Sequence, residues 1–166
     1  MGAVLCLNSL GNNYLIAGDF TRAETKLMES LNQVKDNPSL YIEILTDLIF
    51  VTSNLGKLTV ADQYYKEAIS ILKGTNEKEH LAWLYLSQGF RYVFSGDYIK
   101  ALELGEKIKE MCEKLALYYL LALGYYLISR SCYCLGLFSK GMRNATKGLD
   151  LTKEREFPQL DRKSVV

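Results

Sequence analysis

The chain has 166 residues, with 20 Lys+Arg against 19 Asp+Glu for a formal charge of +1, 49% apolar residues, 23% charged residues and 2 prolines. A chain of this length and balance can bury a core of its own, which excludes an intrinsically disordered segment. It offers no concentration of positive charge able to neutralise several phosphates, which argues against nucleic acid as a direct partner.

The opening Met1 to Asn8 has no basic region ahead of its apolar stretch and does not read as a secretory signal. Cys6 stands where a myristoylation site would carry Ser or Thr. A helical pattern runs from there to Ala17 and is followed by the phrase Ala17-Gly18-Asp19-Phe20-Thr21-Arg22-Ala23 and a second helical stretch. The phrase returns as Leu55-Gly56-Lys57-Leu58-Thr59-Val60-Ala61, as Ser95-Gly96-Asp97-Tyr98-Ile99-Lys100-Ala101, and as Leu135-Gly136-Leu137-Phe138-Ser139-Lys140-Gly141. Its glycines are spaced by 38, 40 and 40 residues. Each phrase reads as a helix stop joined to a helix start, because Gly takes the left-handed conformation that ends a helix and the next one begins within two or three residues.

The stretches flanking each corner carry apolar residues at spacings of 3 and 4, as in Leu81, Leu84, Tyr85 and Tyr92 before Gly96 and Tyr98, Ala101, Leu102 and Ile108 after it. Eight helices in four hairpins follow, with repeats at 1–37, 38–76, 77–115 and 116–156. Pro38, Gly74 and Pro158 mark the ends of repeats. Sustained strand alternation is missing, and the uncharged run from Leu115 to Ser129 is too short to cross a bilayer.

These residues resemble the tetratricopeptide repeat family, whose motif couples Leu-Gly and Tyr on a first helix to a Gly-aromatic turn and to small residues on a second. The first repeat supplies Leu10, Gly11, Tyr14, Gly18, Phe20, Ala23, Leu27 and Ser30. The second has Leu45, Leu48, Gly56, Leu58, Ala61, Tyr65 and Ala68, the third Tyr85, Gly89, Tyr92, Gly96, Tyr98 and Ala101. The fourth fits least well, with Tyr125, Ile128, Cys132, Gly136, Phe138, Gly141, Ala145 and Gly148. The spacing exceeds the family's usual 34 residues, so the chain looks like the long-repeat branch found in peptide-sensing regulators. The resemblance implies an all-α, right-handed superhelix of four helix-turn-helix repeats forming one domain over 1–160, with 157–166 as a tail or the truncated start of a fifth repeat.

The family pattern also implies a concave wall made by the first helix of each pair. It places there Asn8 and Asn12, then Glu43, Asp47, Phe50 and Asn54, then Trp83, Phe90 and Phe94, and finally Tyr126, Arg130 and Tyr133. Asn bonds a peptide backbone on both its donor and acceptor sides, aromatics supply contact area, and Arg pairs with a carboxylate. The competing reading of Trp83, Phe90 and Phe94 is packing between repeats. The expected function is a protein-interaction scaffold that holds a peptide or helix of a partner, as part of a longer protein. The alternative is the ligand- or peptide-sensing module of a transcriptional or signalling regulator.

No enzyme is expected. His80 follows Glu77-Lys78-Glu79 at a helix start and reads as a solvated side chain. Cys132 and Cys134, two apart on a helix, point about 200° from each other and cannot share an ion, so neither metal nor cofactor is expected. Asn144-Ala145-Thr146 matches a glycosylation sequon by chance within a helix. The 4 cysteines suit reduced thiols, hence the cytoplasm, with no membrane partner. An array without capping helices would also accept a second copy at an open end, giving a homodimer.

Overall fold

A computed structural model describes residues 2–34 and 37–154. Among them are eight α-helices and no strand: α1 (Gly2–Ile16), α2 (Phe20–Gln33), α3 (Pro38–Asn54), α4 (Leu58–Leu72), α5 (Lys78–Phe94), α6 (Tyr98–Leu115), α7 (Tyr118–Cys134) and α8 (Phe138–Glu154). The protein is an all-helical repeat. No described helix is long and apolar enough to cross a membrane. The expected tail at 157–166, with Pro158, lies outside the described residues.

The recurring phrases are the corners. Gly18, Gly56, Gly96 and Gly136 all have φ between 73° and 79°, a region open to Gly without a Cβ penalty. After each glycine the next amide turns back five residues to the preceding helix: Asp19 N–H donates to Tyr14 O at 2.9 Å, Lys57 to Thr52 at 2.8 Å, Asp97 to Tyr92 at 2.9 Å and Leu137 to Cys132 at 2.8 Å. This is the Schellman closure of a helix end, which satisfies a carbonyl the helix would otherwise leave open. The starts of α2 and α3 are capped by side chains, with Asp19 accepting from Arg22 N–H and Asn37 accepting from Leu40 N–H. Pro38 opens α3, where its missing N–H costs no helical bond.

The described helices fall into two compact units, divided between Asp97 and Tyr98. In the first, α3 is central and touches α1, α2, α4 and α5. Its Leu40, Ile44, Leu48 and Val51 pack with Ala23 and Leu27 of α2. Its Ile42, Leu45 and Ile49 pack with Ala61, Ala68 and Leu72 of α4 and Leu84 of α5. On α1, Gly11 lets the helix approach Leu27, and Val4 O accepts a bond from the buried Ser30 hydroxyl at 3.0 Å. Leu10, a motif position, is nonetheless 39% exposed, because the side of α1 that carries it meets no other described helix.

In the second unit α7 lies between α6 and α8. Contact is made at glycines: a Cβ on Gly105 would lie 2.7 Å from Ile128 Cγ1, and one on Gly148 3.2 Å from Tyr125 Cβ. The corner between α6 and α7 has no glycine. Ala116 takes φ 55° there, the one described non-glycine residue with positive φ.

Candidate functional site

The face in question is what packing leaves over on α1, α3 and α5 of the first unit. Two sides of α3 are taken by the contacts to α2 and to α4 and α5, so Glu43, Asp47, Phe50 and Asn54, spaced 4, 3 and 4 apart, share the remaining side. The Asn12 side chain on α1 hydrogen-bonds the half-buried Asp47 carboxyl. Burial, followed by repulsion from the Glu43 charge, pushes Asp47 up to about 7, while the bond from Asn12 pulls it down. Asn8, one turn earlier on α1, has a buried Oδ1 with no hydrogen-bond partner among the described residues.

At the other side of this patch His80 corrects the expectation of a solvated side chain. Only 20% of its side chain is exposed, its Nδ1 lies 2.7 Å from Glu77 Oε2, and its Nε2 lies 3.7 Å from Glu43 Oε1. The Glu77 contact spans three positions of one helix start and was legible as such. The Glu43 contact crosses from one repeat to the next and needed the fold. His80 thus lies between the start of α5 and the acidic side of α3.

Further along the same face Phe50 is the hub of an aromatic cluster. Its ring meets Phe20 at 6.4 Å, Phe90 at 5.5 Å and Phe94 at 6.2 Å between centroids, all edge to face, the geometry in which a positive ring edge meets a negative ring face. Phe50 and Phe90 are half-buried, and Phe94 is 44% exposed. Packing and exposure thus coexist in one cluster, where the sequence offered them as alternatives. Trp83 is half-buried on α5. Asn54 is committed locally, its Nδ2 donating to Phe50 O at 2.9 Å.

Sequence reasoning missed the link that fixes α5 on α4. Arg91 pairs with Asp62, and Gln88 Nε2 donates to the same carboxylate at 3.4 Å. It also missed Phe20, read only as a turn residue.

On the second unit, Tyr126, Arg130 and Tyr133 share one exposed side of α7 at spacings of 4 and 3. Leu120, Gly124, Ile128 and Ser131 occupy another side of that helix, all buried. The Tyr133 ring meets Phe138 edge to face at 6.1 Å. Cys132 is buried and Cys134 half-buried. Among the described residues no group of three or more His, Cys, Asp or Glu side chains is placed to hold a metal ion.

No family model matches the chain, and no curated protein matches it. Solved structures do. The aspartyl phosphate phosphatase F of Bacillus subtilis superposes with a TM-score of 0.73 at 13% identity, over 91% of this chain and 40% of its own. BtubC (BKLC) of P. vanneervenii superposes with a TM-score of 0.70 at 17% identity, over 91% of this chain and 63% of its own. The chain thus spans less than two thirds of either neighbour, and the likeness is one of fold.

Proposed function

We propose that this chain is a tetratricopeptide-like, non-catalytic binding module of the cytoplasm, which holds a polypeptide segment bearing a cationic residue on the α1, α3 and α5 face. The observation that carries the reading is the juxtaposition of Glu43 and Asp47 with the aromatic cluster around Phe50. A Lys or Arg side chain would give the desolvated Asp47 carboxylate a charge partner, and Phe94 and Phe90 would cover the adjoining apolar part of the ligand. The phosphatase activity in one neighbour's name does not transfer to this chain, because 13% identity carries the fold alone.

Titration with a short peptide containing Lys beside an aromatic residue, followed by Trp83 fluorescence, tests the reading. The expected result is saturable binding, about tenfold weaker for the peptide with Gln in place of Lys and for the Asp47→Asn variant. Equal binding of the Lys and Gln peptides would refute it. Binding should tighten as the pH rises through 7, since the carboxylate and not the acid attracts the cation.

A sensing role on the same face is the second reading, favoured by that ionisation near neutrality, because a bound cation would switch the charge state of Asp47. Both readings expect the short peptide to saturate the site; a sensor would also change its hydrodynamic radius on saturation, whereas a module that only holds its partner would not. The exposed faces of α1 and α8 extend the reading to self-association.

A further inference from the structure

Each ring nitrogen of His80 faces a carboxylate. Nδ1 is at hydrogen-bonding distance from Glu77, 2.7 Å, whereas Nε2 lies 3.7 Å from Glu43 Oε1, beyond a hydrogen bond but within reach of an ion pair. An ionised carboxylate only accepts, and a neutral imidazole has one N–H to donate and one lone pair. A neutral ring that donates from Nδ1 to Glu77 therefore turns the Nε2 lone pair toward Glu43, and nothing draws the two together. The imidazolium carries an N–H on both nitrogens and serves both carboxylates at once. One protonation state of the ring thus holds Glu43, and the other lets it go.

The charges that face the ring are Glu77 at the start of its own helix and Glu43 of α3. Its sequence neighbours Lys78 and Glu79 are exposed. α4, the other helix packed on α5, meets it through Leu72 near Leu84 and through Asp62, which pairs with Arg91 about three turns further along α5. The His80 side chain is confined at 20% exposure, while that of Glu43 is 56% exposed and is the member free to turn. Asp47 lies one turn along α3 from Glu43, its carboxyl pushed up by burial and then by the Glu43 charge.

We infer, on the reading of this face as a site for a Lys- or Arg-bearing segment, that His80 is its proton-operated gate: the imidazolium occupies Glu43, and loss of the proton releases Glu43 to the cation of the ligand. The imidazolium is a stand-in for that cation built into the protein, so a ligand arriving at low pH must displace it before it gains Glu43. Once the ring is neutral, Glu43 and Asp47 stand as like charges one turn apart, a repulsion that an ammonium or guanidinium of the ligand relieves. Imidazole is the side chain that changes charge between pH 5 and 8, which places the gate near neutrality. His80 acts through Glu43 without touching the ligand and is a positioning residue. Below neutral pH, binding then releases a proton from the ring in addition to the one from Asp47.

His80 is the single histidine of the chain, so its ring protons report its titration directly by NMR. Saturating the parent with the Lys peptide should lower the midpoint of that titration, because ligand binding and ring protonation oppose each other and the coupling is reciprocal. The variant His80→Gln keeps an N–H for Glu77, and circular dichroism verifies its fold. One pH unit below the parent's midpoint about a tenth of the rings are neutral, so His80→Gln should there bind the Lys peptide about tenfold more tightly than the parent. Calorimetry in buffers of different ionisation heat should count about one proton fewer released by the variant at that pH. Above the midpoint the two affinities should converge. A midpoint that stays put on saturation of the parent overturns the gate with no variant needed, and so does a His80→Gln variant with the parent's pH profile. Either result alongside a retained preference for the Lys over the Gln peptide removes the gate alone, whereas equal binding of the two peptides removes the cation site and the gate with it.

Discussion

In the first unit the space between neighbouring helices is filled by branched side chains, with Leu27, Ile44, Leu45, Leu48 and Ile49 all fully buried. In the second, helices meet at Gly105, Gly124, Gly141 and Gly148, each of which would bring an added Cβ within 3.3 Å of a neighbouring side chain. The first unit has one such close approach, at Gly11, and the second also buries Ile108, Leu127 and Ile128 fully, so the same corner geometry carries two balances of packing, one weighted toward apolar area removed from water and one toward close backbone approach. The first kind is vulnerable to truncation and the second to enlargement.

The sharpest break of that contrast is Leu48→Ala. Leu48 is completely buried in the cluster between α2 and α3, so removing its side-chain carbons leaves a cavity bounded by backbone-anchored neighbours. A loss of about 2–5 kcal/mol is expected from urea unfolding. The converse in the second unit is Gly105→Ala, which adds one methyl group. Helix propensity alone would favour the variant by about 1 kcal/mol. The new Cβ would meet Ile128 Cγ1 at 2.7 Å and Ile128 N at 3.3 Å, and the backbone atom cannot rotate away. A net loss of about 1–2 kcal/mol is expected. A neutral or stabilising Gly105→Ala would show that α6 and α7 do not depend on close approach.

Asp47→Asn probes a site where the first unit gives up stability on the proposed binding surface. The folded state holds the Asp47 proton more tightly than the unfolded chain, since its carboxyl is pushed from 3.8 up to about 7. The contribution of this group is therefore fully present below pH 3.8 and is lost as the pH climbs through 7. The Asn variant retains an acceptor for Asn12 and carries no charge. It should match the parent near pH 3.5 and exceed it by about 1–2 kcal/mol at pH 8, part of the full linkage because some solvent reaches the side chain. Equal urea midpoints at pH 8 would show that the carboxylate is not desolvated.

The repeats were legible because the corner demands Gly for a backbone reason that no side-chain contact can override, and four such glycines fix the register of everything between them. In the fourth repeat the small motif positions are the glycines Gly141 and Gly148, which bring α8 close to the backbone of α7, a closeness that the motif's demand for a small residue does not specify. On the candidate face, Asn12 and Asp47 were legible as residues excused from packing. His80 was not, because its contact with Glu43 joins two repeats and depends on how α5 lies against α3. Asp62 and Arg91 were hidden likewise, as opposite charges on two different helices with nothing local to couple them.

The smallest expected effect concerns the turn from one repeat to the next, where the units also differ. Between α4 and α5 the chain passes through Gly74 at φ 86°, but between α6 and α7 it passes through Ala116 at φ 55°. A Cβ in this region crowds the adjacent carbonyl, at a cost of roughly 1–2 kcal/mol for an L-residue. Leu117 N–H donates to Cys112 O at 3.0 Å, the same backward bond the glycine corners make, and it holds Ala116 in that conformation. Ala116→Gly would relieve the crowding but would also give the unfolded chain more freedom, worth about 0.4–1 kcal/mol in the opposite direction. The balance predicts a gain of about 0.5–1 kcal/mol in urea unfolding. Gly74→Ala should lose a comparable amount, since it places the same strain in the first unit. Were Ala116→Gly to destabilise the chain, the methyl group would have to be making a contact worth more than its strain, and the two turns would not be equivalent.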